Sequence, residues 1–268
     1  FDSAQHVDAP KCHPHTRTAV LNEIMDWIML AVTRLQWILW LKGAAGAGKS
    51  AIGRSIVELC LQREIPIARF FFFRTDPSRN TVAPVIATLV HQILQCIPAL
   101  TEIILPIIQS DPLIFNKSLE TQFEYLVFKP LRQLHNRSLY QQTLVLLFDG
   151  LDECHNEMDQ VSLIRILSSF VGTTAYPVMV FFASRAENHI SVPFKSPGIS
   201  QMVWPLNLDH HYSPDDDIRL FLVDSFLAIK NTHPFGHLLD NNWPSESEVE
   251  EVVIKSSGQF VYVLNDAQ

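Results

Sequence analysis

The stretch Gly43-Ala44-Ala45-Gly46-Ala47-Gly48-Lys49-Ser50 fits GxxxxGK[ST] in full, and its flanks leave little freedom in what the surrounding chain can fold into. Before it runs Trp37-Ile38-Leu39-Trp40-Leu41, short, continuous and apolar, as expected of a strand buried on both faces of a parallel sheet. Behind it Ile52, Ile56, Leu59 and Cys60 recur at helical spacing. Glycine and alanine between the two elements let successive backbone N–H groups turn inward around phosphate oxygens, which larger side chains would hold off. The candidate phosphate contacts are therefore Gly43, Ala45, Gly46, Ala47, Gly48, Lys49, Ser50 and Ala51. Lys49 is expected to reach the β- and γ-phosphates as a point charge and Ser50 to offer its hydroxyl to Mg²⁺, with the helix N-terminus adding its positive end.

Two further strand ends point at the same place. Leu144-Val145-Leu146-Leu147-Phe148 reads as a buried strand that ends in Asp149-Gly150-Leu151-Asp152-Glu153. Ligands of parallel sheets bind outside the carboxyl ends of the strands, which places Asp149 to hold Mg²⁺ through its water shell and Asp152 or Glu153 to orient an attacking water. A helix start stabilised by acids is the competing reading of Asp152 and Glu153. The strand Val178 to Ala183 continues into Ser184-Arg185, and a guanidinium there is suited to sensing a γ-phosphate. Its alternative is an ion pair with Glu187 or a neighbouring acid.

The remaining pattern alternates strands and helices. Ile67 to Phe73 reads as an aromatic-rich strand and Asp76-Pro77-Ser78 as a turn. Helical period holds from Val82 to Ile97 and stops at Pro98; further helical stretches, each punctuated by proline or polar turns, are expected around Ala99 to Gln109 and Leu119 to His135, and a helix over Val161 to Val171. Gln201 to Leu206 reads as a last strand. Ser213-Pro214-Asp215-Asp216 opens a capped helix, and Ser245 with Glu248 forms a capping-box pattern. Cys12-His13-Pro14-His15 has the composition of half a metal site, but no second pair follows at finger spacing, so a solvated or nucleotide-flanking loop is expected. With 47% apolar residues and a net charge of −8, the chain is expected to be globular and to lack the positive field that attracts nucleic acid or an anionic membrane. Phe1 to Lys11 has no signal-peptide core, no apolar run is long enough to span a bilayer, and the scattered cysteines imply reduced thiols, so a soluble, cytoplasmic protein is expected. The first residue is Phe rather than Met, and the chain is read as part of something longer.

The pieces CHPHTR, ILWLKGAAGAGKS, ARFFFFR, KSLETQFEYLVFKPL, LVLLFDGLDEC, VFFASRAENHI, DDIRLFL and WPSESEVEEVVIKSSGQFVY together resemble the NACHT family of STAND nucleotide-switch NTPases, in particular its fungal members. The resemblance covers nearly the whole chain. It implies a three-layer α/β/α P-loop NTPase sandwich on a parallel five-stranded sheet in the order 5-1-4-3-2, followed by the start of a small helical domain. The segments it implies are a flanking stretch over 1–17, the NTPase core over 18–212 and the beginning of a helical subdomain over 213–268. It places Thr16 and Arg17 beside the adenine, and it puts Phe260 of Gly258-Gln259-Phe260 where related switches carry a proline against the base. Gly150 stands where fast ATPases carry their base, which implies slow hydrolysis. The function implied is an ATP- or GTP-dependent, Mg²⁺-requiring switch that gates self-association in signalling or non-self recognition, its effector and sensor domains lying outside this chain. An ATPase acting on nucleic acid and a small-molecule kinase are the alternatives; the acidic balance speaks against the first, and no substrate lid is recognisable for the second.

Overall fold

Successive residues of the central strands are buried in two different cores, as a sheet covered on both faces requires. Ile38 and Trp40 lie in one core and Leu39 and Leu41 in the other; Leu146 and Phe148 are divided in the same way from Val145 and Leu147. The computed structural model describes residues 11–29, 35–137, 142–171, 178–208, 212, 214–240, 242–260 and 262. In chain order the elements are α1 (Thr18–Met29), β1 (Ile38–Lys42), α2 (Lys49–Gln62), β2 (Ile67–Phe71), α3 (Val85–Cys96), α4 (Thr101–Ser110), α5 (Leu119–Phe123), α6 (Lys129–Asn136), β3 (Leu144–Asp149), α7 (Glu157–Val171), β4 (Val178–Ser184), α8 (Asn188–Lys195), β5 (Val203–Asn207), α9 (Pro214–Thr232) and α10 (Glu246–Ser256).

All strand pairings are parallel, and the order is β2-β3-β4-β1-β5, the expected 5-1-4-3-2 read from the other edge. Helices α1 and α2 cover one face through Val20, Ile24, Ile52 and Ile56, while α3, α7 and α8 cover the other through Leu89, Ile164 and Phe194. The fold is a three-layer α/β/α sandwich. Register puts Lys42 opposite Ser184 and Phe148 opposite Phe182, so the chain leaves β1, β3 and β4 at one edge of the sheet. Trp40 Nε1 donates to the buried Ser184 Oγ at 2.9 Å and ties two of these strand ends together.

Strand β2 lies at the sheet edge and would present unpaired backbone groups on its outer side. The Gln92 side chain of α3 takes the place of a missing strand: its Oε1 accepts from Arg69 N and its Nε2 donates to Arg69 O, each at 3.0 Å. Gln92→Leu leaves both groups without these partners, and a loss of ~1–3 kcal/mol is expected. Urea unfolding checks this; an unchanged midpoint would mean that water replaces the amide at no cost.

The helical stretch expected around Leu119 to His135 is indeed punctuated. Glu124–Phe128 forms a π-helical turn between α5 and α6. Pro130 follows directly; it lacks an N–H and its ring crowds the preceding turn, and the wider turn accommodates it. Strand β2 ends at Phe71, short of the expected Phe73, because Phe73 N instead donates to Arg79 O across the Asp76-Pro77-Ser78 turn. Downstream, Ile218, Leu222, Val249 and Val253 of α9 and α10 form a small separate core. The capping box of Ser245 and Glu248 is present, whereas Ser213, expected to cap α9, lies outside the described residues. No single helix among the described residues is long and apolar enough to cross a membrane.

Candidate functional site

The turn from β1 into α2 needs backbone angles that glycine adopts most readily. Gly46 (φ 76°) and Gly48 (φ 88°) are both left-handed. The loop floors a cleft of about 880 Å³ through Ala45, Gly46, Gly48, Lys49, Ser50 and Ala51. Gly43 and Ala47, grouped with them on pattern alone, do not line it. A Cβ on Gly43 would come within 3.2 Å of Leu208 Cβ and 3.3 Å of Ala47 Cβ, so this glycine serves the packing beneath the loop, where Ala47 is itself buried.

Lys49 Nζ donates to Gly43 O and Ala44 O, both at 2.9 Å, which uses two of its three donors and leaves one for a ligand. Burial lowers its pKa, opposed by the charges of Asp152 and Asp149. At the end of β3, Asp149 is buried and its Oδ1 accepts no hydrogen bond. Desolvation raises its carboxyl pKa to about 6, against the pull of a hydrogen bond from Ser50 and the charge of Lys49. An orphaned, desolvated carboxylate oxygen beside a hydroxyl suits a hard cation. No group of three or more His, Cys, Asp or Glu side chains forms a metal cage among the described residues. The donors therefore fit Mg²⁺, which takes one or two protein oxygens and completes its shell from water and phosphate.

Gly150 is left-handed (φ 67°), and a Cβ there would lie 3.0 Å from Phe72 O. The backbone thus favours glycine over any side chain directly after Asp149. Asp152 and Glu153 follow on a 3₁₀ turn, and both line the cleft with Arg185. They are not equivalent. Both oxygens of the buried Asp152 accept from Arg185, Oδ1 from the backbone N at 3.0 Å and Oδ2 from Nε at 2.6 Å. Arg185 Nη2 also lies 3.3 Å from Glu187 Oε1, so the strand-end arginine faces the cleft and is ion-paired at once. Glu153 accepts through Oε2 from Arg74 N at 3.0 Å, while Arg74 Nη2 donates to Asp152 O at 2.8 Å. Pattern reading gave Arg74 no role, although an arginine just past a strand end was available as a signal.

The other wall comes from residues 11–17 and from the helical region. His13, Pro14, Thr16 and Arg17 line it with Phe221 and Phe260. His13 hydrogen-bonds its neighbour Pro14 O, lies 3.7 Å from Asp224 and packs its ring edge against Phe221, so it is engaged in the wall. Thr16 Oγ1 closes a turn on His13 O at 2.7 Å. Arg17 is buried within the wall: Nη2 donates to Ala47 O at 3.1 Å, and its guanidinium covers the Phe260 ring at 4.9 Å.

A family model described as Nephrocystin 3, N-terminal, matches residues 16–185. The chain belongs to this family. In this member of the nephrocystin 3 N-terminal family the matched span opens at Thr16, contains the phosphate loop and Asp149, and closes on Arg185. With the glycine-rich loop between β1 and α2 and the 5-1-4-3-2 sheet, the fold is that of a P-loop NTPase. Cdc6p from Pyrobaculum aerophilum is 16% identical, with 83% of this chain and 51% of that chain covered at a TM-score of 0.47. The Aeropyrum pernix Orc1 protein, solved in complex with DNA, is also 16% identical, with coverage of 80% and 50% and a TM-score of 0.47. A Drosophila ORC structure with GC-rich DNA and Cdc6 is 14% identical, with coverage of 78% and 31% and a TM-score of 0.49. The chain spans about half the length of the two archaeal proteins. No curated protein matches it.

Proposed function

We propose that this member of the nephrocystin 3 N-terminal family is a nucleotide-operated switch of the NACHT type, binding ATP or GTP with Mg²⁺ and hydrolysing it slowly. The observation that carries this reading is the convergence of the Lys49 ammonium, the orphaned Asp149 carboxylate and the Arg185–Asp152 pair on one cleft. Lys49 and the loop amides bind the phosphates, Ser50 and Asp149 hold Mg²⁺, and Thr16 belongs to the wall facing the base. Bound Mg²⁺ supplies charge neutralisation at the transferring phosphoryl group. Glu153, whose Oε1 is not used by Arg74, orients the attacking water. Asp152 aims Arg185 at the γ-phosphate. Slow turnover is supported by Gly150, which supplies no base directly after Asp149 and whose left-handed, crowded backbone disfavours a side chain there.

In the cell the switch gates self-association of the NTPase core in cytoplasmic signalling or non-self recognition, with effector and sensor domains outside this chain. Its flanking segment is 1–17, its core 18–212 and the start of its helical subdomain 213–268; neither nucleic acid nor a membrane is its partner. The small core of α9 and α10 supports the last boundary.

Single-turnover assays separate the two acids. Glu153→Gln should keep nucleotide affinity and slow hydrolysis by ~10²–10⁴-fold, the usual contribution of a positioned base. Arg185→Ala should narrow the gap between triphosphate and diphosphate affinity by about 1.5–3 kcal/mol, the worth of one charge-assisted hydrogen bond. Asp152→Asn should act through Arg185 and add little in the Arg185→Ala background. Fully additive effects would detach Asp152 from the arginine, and unchanged hydrolysis in Glu153→Gln would return Glu153 to a role in the turn alone.

A further inference from the structure

Arg17 and Asp217 are far apart in sequence, and neither is needed to bury a hydrophobic element, yet the fold brings them together in a desolvated place. Arg17 Nε lies 3.7 Å from Asp217 Oδ2, and the same carboxylate oxygen accepts from Arg17 N at 3.0 Å. Burial lowers the arginine's pKa and raises the aspartate's, and the charge of each partner opposes that shift in the other. The backbone of Arg17 is left-handed (φ 57°), a conformation that an ordinary residue keeps only when its surroundings hold it. Asp217 supplies that hold.

The other end of Arg17 reaches the phosphate loop. In a trans peptide the C=O and the following N–H point in opposite directions. Nη2 donates to Ala47 O at 3.1 Å and so holds the peptide plane that also carries the Gly48 N–H. Gly48 lines the cleft and Ala47 does not. An anion on the Gly48 N–H therefore polarises the 47–48 peptide and the guanidinium bound to its carbonyl, and the effect passes to the Asp217 carboxylate of α9 through the 3.7 Å ion pair, since Arg17 Nε donates no hydrogen bond of its own. The guanidinium also covers Phe260, whose ring packs against Phe221 at 6.3 Å, so the contact reaches a second point of the helical region.

We propose that Arg17 and Asp217 form a latch that transmits occupancy of the phosphate loop to α9 and the Phe260 segment, with Asp217 acting as a positioning residue for the Gly48 amide. This rests on the cleft binding a nucleotide. By linkage, what the nucleotide does to α9, α9 does to the nucleotide.

The test compares the full chain with Asp217→Asn and Asp217→Glu, titrated with Mg-ATP and Mg-GTP in parallel and followed by hydrogen exchange over residues 214–232. In the wild type, nucleotide should slow exchange of α9 amides. In Asp217→Asn that slowing should vanish and affinity should fall about tenfold, within the ~5–150-fold span usual for coupled sites. Asp217→Glu keeps the charge and should restore most of both. Wild-type binding with no change in α9 exchange, or Asp217→Asn behaving as wild type, overturns the latch. Equal losses in Asp217→Asn and Asp217→Glu also overturn it, since charge would then not be what counts. A wild type that binds neither nucleotide removes the underlying reading, and the latch falls with it.

Discussion

Lys49→Ala is expected to abolish nucleotide binding while the fold survives. The lysine side chain makes no core contact; its ammonium lies over the carbonyls of Gly43 and Ala44 at the loop, where water replaces it once it is removed. A charge-assisted hydrogen bond is worth ~1.5–3 kcal/mol, so losing contacts to two phosphates costs about 3–6 kcal/mol, roughly 10²- to 10⁴-fold in affinity. Mg-nucleotide at a hundred times its Kd should stabilise the wild type by ~2.7 kcal/mol. Thermal unfolding reads the difference: the wild-type Tm rises with nucleotide and the variant's does not. An equal rise in both would place the ligand somewhere other than this loop.

Asp149→Asn should move stability and function in opposite directions. Without a bound cation the carboxylate is buried with one oxygen unpartnered, and burial raises its pKa from 3.8 to about 6. An acid whose folded pKa is raised binds more protons in the folded state than in the unfolded state. Its ionisation therefore costs stability that builds up as pH rises from the ordinary carboxylate value of 3.8 to about 6 and is fully present above that. At about 1.4 kcal/mol per pKa unit, the penalty at neutral pH is on the order of 2–3 kcal/mol. The substituted amide carries no charge, so the nucleotide-free variant should unfold at higher urea than the wild type at pH 7. The gap should shrink to roughly half by pH 5 and close only near the ordinary carboxylate value of 3.8. With Mg-nucleotide the order should reverse, because the variant lacks the cation ligand. A variant less stable than wild type at pH 7 without nucleotide would show that Asp149 is already well solvated or paired.

The parts of this molecule that were legible in the sequence are those fixed by local pattern. A glycine-rich loop between an apolar run and a helical period has few other solutions; the sheet order was not in that pattern and came from the resemblance to the NACHT family. Element interiors were clearest in β3 and β4, which are apolar up to their last residue, as burial on both faces demands. Boundaries failed where a single residue acts against the period. The turn at Arg79 drew Phe73 out of β2, while the interruption near Pro130 was expected and only its form, a π turn just before it, was not. Side-chain partners were the least legible. Nothing local says that Asp152 will commit both oxygens to Arg185 or that Gln92 will stand in for a strand. The link between Arg17 and Asp217 bridges almost the whole chain, and no pattern within either segment reveals it.

The most direct test of the central claim is native mass spectrometry of the folded chain in the presence of Mg²⁺ and either ATP or GTP. The cleft predicts one dominant adduct, one nucleotide with one Mg²⁺ per chain, present in the wild type and absent in Lys49→Ala. Bare chain under conditions where the protein is folded, or an adduct that persists in Lys49→Ala, would contradict it.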